Sequence, residues 1–345
     1  MAFVLGVSFG SFFNVCIYRI PVRRSIIRPP SHCYSCGTRI RWHDNIPLVS
    51  YLMLRGGCRY CGALFSVRYF LVELLSGIMF LAIFVSYGTG WLTVVNCAFA
   101  SLLLVGAFID ADHYILPDGL TLGGLVFAVI VAAVSGSHSL IASETMTVWG
   151  IVCLDQMSRA GRFVSVPLPV YAPLLWSLAG ALFGWVLLQG VGLLGRILFR
   201  KEAMGGGDIK LFAFLGAYLG AIHCLFALFV ASVLGACIGL VLIIIHKLAG
   251  KDEYEEITLV PGRAAPMYWL TSIDRKSESG LGVNQSSIVD QAHLAPDSVT
   301  IRVARKTTRQ MHHFPFGPYI AVAAYIVMIC HDAINELLRN LFVLP

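Results

Sequence analysis

Met204-Gly205-Gly206-Gly207-Asp208-Ile209-Lys210 sets one carboxylate behind three glycines, at the point where a long apolar run begins. The run continues through Leu211, Phe212, Phe214, Leu215 and Leu219, which puts Asp208 at the mouth of a helix rather than in a soluble loop. An acid at the end of a membrane helix is costly and is kept where it has work to do. What matters is whether Asp208 has a partner.

The rest of the chain says that the run belongs to a membrane protein. Of 345 residues, 57% are hydrophobic and only 13% charged, with a mean hydropathy of +0.77, far more apolar than a soluble domain of this size. The apolar runs are unbroken rather than alternating, which selects helices over a barrel. The expected fold is all-α, a polytopic integral membrane protein of about eight transmembrane helices with a small zinc-ribbon-like loop. Met1 to Ile20 lacks the basic start and small-residue exit of a cleavable signal. The net charge of +6 resides in arginines clustered beside membrane segments, where positive charge fixes topology. The bilayer is therefore the expected partner, and nucleic acid is not.

Residues 1–20 make a first span whose Gly6, Ser8, Gly10 and Ser11 would let another helix come close. Nine arginines from Arg19 to Arg68 face a single acid, Asp44, so the loop at 21–68 is expected in the cytoplasm. Residues 69–249 would form the membrane core, with an outer-face insertion at about 135–170. Residues 250–313 look like a cytoplasmic insertion, partly ordered at most, and 314–345 like a last span with an amphipathic tail. Counting spans outward from the arginine-rich loop puts Asp110 and Asp208 at the same cytoplasmic depth, each where a helix meets a loop. Such a pair can hold an ion, relay protons, or act as a dyad that activates water for peptide hydrolysis.

Around the pair stand supporting candidates. Gly205 and Gly207 suit a close helix contact or an anion. Asp118 follows Pro117 like a helix N-cap, and Asp112 can simply face water. Lys210 either orients Asp208 or anchors at the lipid surface. Glu73, one turn inside the second span, must find water or a partner, for which an ion pair with Arg68 would serve.

Cys33-Tyr34-Ser35-Cys36 and Cys58-Arg59-Tyr60-Cys61 are two C-x-x-C knuckles 21 residues apart, each followed by a glycine, Gly37 or Gly62. In a reducing cytoplasm disulfides are disfavoured, and four thiolates at this spacing suit a structural Zn2+ with every position filled by protein. Arg39, Arg41 and Arg59 are near enough in sequence to offset the thiolate charge.

Taken together these residues resemble the type IV prepilin peptidases, bacterial membrane aspartic proteases. The likeness rests on Gly10-Ser11-Phe12-Phe13-Asn14-Val15 with Arg19 and Pro21, both cysteine knuckles, Asn45-Ile46-Pro47, Arg68-Tyr69 with Val72-Glu73-Leu74, Ile109-Asp110 through Leu116-Pro117-Asp118, Gly205 to Lys210, and Pro315-Phe316-Gly317-Pro318. It implies that Asp110 and Asp208 are the catalytic pair, cutting a short basic leader from prepilins or type II secretion pseudopilins at the cytoplasmic face of the inner membrane. It also implies pilus or type II secretion assembly machinery as partners. Many members methylate the new N-terminus with S-adenosylmethionine, an activity associated with the cysteine-bearing loop. The two insertions depart from the family's compact pattern. Competing classes are an ion-coupled transporter, which would show midplane acids and internal repeats, and a membrane scaffold whose zinc loop docks partners.

Overall fold

The computed structural model describes residues 1–135, 172–200, 205–249, 255–259, 299–303 and 315–342. The chain divides into two units, one of residues 1–239 and 315–345 and one of residues 240–314. The first unit is helical. Its elements are α1 (Ala2–Arg19), α2 (Val49–Met53), α3 (Val67–Tyr87), α4 (Trp91–His113), α5 (Asp118–Ser135), α6 (Ala172–Phe199), α7 (Gly206–Leu219), the first part of α8 (Ala221–Ala249), α9 (Gly317–Ile329) and α10 (His331–Phe342). The second unit holds the end of α8 and an antiparallel pair, β1 (Glu255–Leu259) and β2 (Val299–Val303), with Ile257 opposite Ile301. That ribbon lies in the expected 250–313 insertion, whose other residues, like 136–171 of the outer insertion, fall outside the described residues.

Five helices, α1, α3, α4, α6 and α8, are long and apolar enough to cross a membrane, and α9 with α10 makes at most a sixth, bent by 72°. The expected eight full spans are therefore not reached among the described residues. The difference lies in α5 and α7. At a rise of about 1.5 Å per residue, the 14 residues of α7 fall short of a hydrocarbon core of about 30 Å. Every residue from Leu211 to Leu219 is buried, so α7 is apolar all round because protein surrounds it.

Small residues set the helix contacts. A Cβ on Gly10 would lie 2.7 Å from the Glu73 Cα, and one on Gly77 would lie 2.5 Å from Val7, so α1 and α3 meet backbone to backbone as Gly6 and Gly10 anticipate. Gly180 and Gly184 of α6 abut the α7 backbone at Gly216 and Phe212 in the same way. Ser177 closes that seam by donating to the Ala217 carbonyl at 2.9 Å. Between α4 and α7 the rings of Phe99 and Tyr218 stack at 4.0 Å, and the Tyr218 hydroxyl donates to Asn96 Oδ1 at 2.6 Å. The result is a fixed frame of α4, α5, α6, α7 and α9 that holds both helix ends bearing the acids.

Candidate active site

Asp110 lies in the last turn of α4, which runs on to His113 instead of breaking at the polar cluster. Tyr114 ends the helix in the left-handed conformation, its N–H returning to the Asp110 carbonyl at 2.8 Å. The Asp110 side chain is buried, 6% exposed. Its Oδ2 accepts the Gly317 N–H at 3.0 Å, one of the first amides of α9, which have no partner inside their own helix. A Cβ at Gly317 would sit 2.5 Å from that same oxygen, so the approach requires glycine. Sequence reasoning singled out Pro315 to Pro318 as a motif but missed Gly317 as a site residue, because its role is played by a backbone amide.

Asp208 sits in the first turn of α7, half-buried, where the helix dipole favours an acid. Its N–H donates to the Gly205 carbonyl at 3.2 Å, and the charge of Asp110 acts on its carboxyl. The two acids, nearly a hundred residues apart in the chain, thus stand at helix ends that the packing of Gly207 on Leu116 brings together. Among the glycines before Asp208 only Gly207 is sterically required: its Cβ would lie 2.9 Å from the Cβ of Leu116, whereas one on Gly205 would meet the Asp208 carboxylate at an ordinary 3.6 Å and one on Gly206 would meet nothing. Gly207 therefore lets the α7 mouth press against the turn after Asp110.

The remaining acids are tied elsewhere. Lys210 pairs with Asp118 at 2.5 Å, both groups largely exposed, which joins the starts of α5 and α7. Lys210 thus orients neither Asp208 nor Asp110 directly. Asp112 pairs with Arg68, whose other nitrogen donates to the Phe108 carbonyl at 3.1 Å. Arg68 is consequently not the partner of Glu73. Instead Glu73 Oε2 accepts the Leu48 N–H at 2.8 Å, with the Ser11 hydroxyl within bonding reach. Glu73 faces a separate open cleft of about 770 Å3 between α1, α3 and the cysteine loop. Asn14 lines the same cleft and clamps its wall by donating to the Tyr69 carbonyl at 3.0 Å.

In the loop the four cysteine sulfurs lie within 4.8 Å of one another. Cys33 and Cys61 are 3.7 Å apart and Cys36 and Cys58 4.0 Å, against about 3.8 Å for neighbouring thiolates at 2.3 Å from a tetrahedral zinc. The knuckles are matched: Gly37 and Gly62 take positive φ and return their N–H groups to the carbonyls of Cys33 and Cys58. Bonding to Thr38 pulls the Cys36 thiol down to about 6, toward the form a metal needs. These residues fit a structural Zn2+. Arg59, expected to offset the thiolates, grips Asp44 instead, at 2.5 to 3.0 Å through two nitrogens. That guanidinium holds the Asp44 carboxyl below its usual range.

Residues 4–87 match a model described as the bacterial peptidase A24 N-terminal domain, and residues 97–240 match the type IV leader peptidase family. The chain is 32% identical to the prepilin leader peptidase/N-methyltransferase of Myxococcus xanthus over 97% of its own length and 91% of that protein. It is 33% identical to the Neisseria gonorrhoeae protein of the same name over 70% of this chain and 81% of that one, and 36% identical to the Klebsiella pneumoniae one over 63% and 83%. No solved structure matches the chain.

Proposed function

The chain belongs to the type IV leader peptidase family, and from that premise we propose that Asp110 and Asp208 cut the leader from prepilins or pseudopilins at the cytoplasmic face of the bacterial inner membrane. The observation that supports this most is that the buried acid ending α4 and the half-buried acid opening α7 stand at helix ends packed together through Leu116 and Gly207, with the charge of Asp110 acting on Asp208. Like charges that act on one another do not both ionise readily, so one carboxyl keeps a proton while the other acts as base. The base draws a proton from water, which attacks the scissile carbonyl while the other carboxyl protonates that oxygen; on collapse the departing amine takes the proton held by the base, and the re-forming carbonyl returns its own to the other carboxyl. The Gly317 N–H holds the Asp110 carboxylate in place throughout. A prepilin is itself a membrane helix preceded by a basic leader, so its scissile bond lies at the depth of the two acids.

The same chain is a methyltransferase for the N-terminus that cleavage creates, with S-adenosylmethionine as methyl donor. The cleft under the cysteine loop suits that donor: its volume of about 770 Å3 is within the usual range for ligand sites. Tyr18, Tyr34 and Tyr69 line it, and aromatic faces attract a sulfonium cation. Zn2+ on Cys33, Cys36, Cys58 and Cys61 would fix the loop that walls it, and does no chemistry. A scaffold would leave the paired acids without a task, and membership of a peptidase family favours hydrolysis over ion-coupled transport. Coexpression with a prepilin, followed by mass spectrometry of the product, tests the reading. A leaderless product bearing one N-methyl group is expected; a prepilin that keeps its leader would overturn it.

A further inference from the structure

Glu73 is only 9% exposed, and a carboxylate so placed is stable only if something compensates it. Its partners are the Leu48 N–H and the Ser11 hydroxyl, both neutral. No cation pairs with it among the described residues, although two arginines border the same cleft. One of them, Arg19, is spent on the carbonyls of Ser25 and Pro29 at 2.9 and 2.7 Å. The other cleft acid, Asp44, is already gripped by Arg59. Glu73 is thus the carboxylate that is left facing the cleft with acceptor capacity for an incoming cation. Its place is also rigid, because Gly10 lets α1 close directly over the Glu73 backbone.

Resting on the reading that methyl transfer occurs in this cleft, we infer that Glu73 is a catalytic residue of that reaction, binding the new N-terminal ammonium and taking its proton. The amine then attacks the donor methyl: its lone pair forms the N–C bond while the C–S bond breaks, that electron pair staying on sulfur as a neutral thioether. Before that attack the proton taken by Glu73 passes on to water in the open cleft, so the group is a carboxylate again when the methyl transfers. The positive charge that builds on nitrogen in the transition state sits beside a carboxylate, which is where a preorganised charge helps most. The route between the two sites is short in the fold, since Arg68 at the start of α3 is bonded to Asp112 and Phe108 at the end of α4.

Glu73→Gln is the discriminating variant, because a Gln carbonyl can still accept from Leu48 while the charge and the base are gone. The methylated fraction of the cleaved product is expected to fall by about 100-fold or more, and Glu73→Asp to recover part of it. A second readout needs no donor: a peptide with the mature pilin N-terminus, free or N-acetylated, is titrated against the purified protein. The native protein should prefer the free amine, and Glu73→Gln should lose that preference. Equal methylation by native protein and variant, or a preference for the free amine that survives in the variant, overturns the role of Glu73. If the variant fails to fold, the native protein alone decides, since no preference for the free amine overturns it equally. A native protein that cleaves without methylating under ample donor sinks the underlying reading instead.

Discussion

Gly317→Ala is expected to disable leader cleavage while leaving the protein folded. The added Cβ would lie 2.5 Å from Asp110 Oδ2, 3.0 Å from its Cγ and 3.2 Å from its Cβ. Ordinary carbon–oxygen contact begins at about 3.3 Å, so the carboxylate must retreat by about 0.8 Å. Because Asp110 is packed inside the bundle, its side chain cannot yield without giving up the 3.0 Å bond from the Gly317 N–H. A displacement of about 1 Å at a reacting group can lower the rate by about 100-fold. The bond itself, to a charged acceptor, is worth about 1.5–3 kcal/mol. Purified variant and native protein would be compared on a prepilin in detergent, with thermal unfolding followed in parallel. A drop of one to two orders of magnitude in cleavage with an intact unfolding transition is expected. Native-like cleavage by a folded variant would refute the claim that Gly317 positions Asp110.

Gly207→Ala should weaken both stability and cleavage, since its Cβ would come within 2.9 Å of the Leu116 Cβ; the double variant with Leu116→Ala still carries that clash, so a shift of backbone rather than simple rescue is expected, read as unfolding no higher than in Gly207→Ala alone. Lys210→Met and Asp118→Asn, single or combined, should each change cleavage less than about fivefold, because an exposed pair contributes about 1 kcal/mol or less. Replacing Cys33 and Cys58 by serine should take bound zinc from about one per chain to near none by metal analysis and lower the unfolding temperature, while zinc-free native protein would remove the metal site.

The membrane class and the place of both acids at helix ends were legible because they rest on local signals: apolar runs, arginine bias, and a carboxylate at a helix mouth. The cysteine cluster was equally open to reading, since two matched knuckles fix four sulfurs before any long-range packing is known. Partner choice was not. Arg68 and Glu73 lie only five positions apart at the start of one helix, yet Arg68 reaches Asp112, 44 positions on, and Glu73 takes a backbone amide at Leu48. Gly317 bonds Asp110 across 207 positions through its amide, and side-chain identity says nothing of such a bond. Hydropathy also cannot separate a helix facing lipid from one wrapped in protein, which is why α7 reads as a full span but has only 14 residues. Of the two roles open to the glycines before Asp208, a close helix contact or an anion, Gly207 takes the first, against Leu116.

Asp110→Asn and Asp208→Asn keep the size and hydrogen-bonding reach of the acids and remove only their ionisation. Each variant, expressed with a prepilin and shown to insert into the membrane at native level, should leave the leader in place, with cleavage down by at least about 1,000-fold. A mature, leaderless pilin formed by either inserted variant at close to the native rate would contradict the proposed dyad.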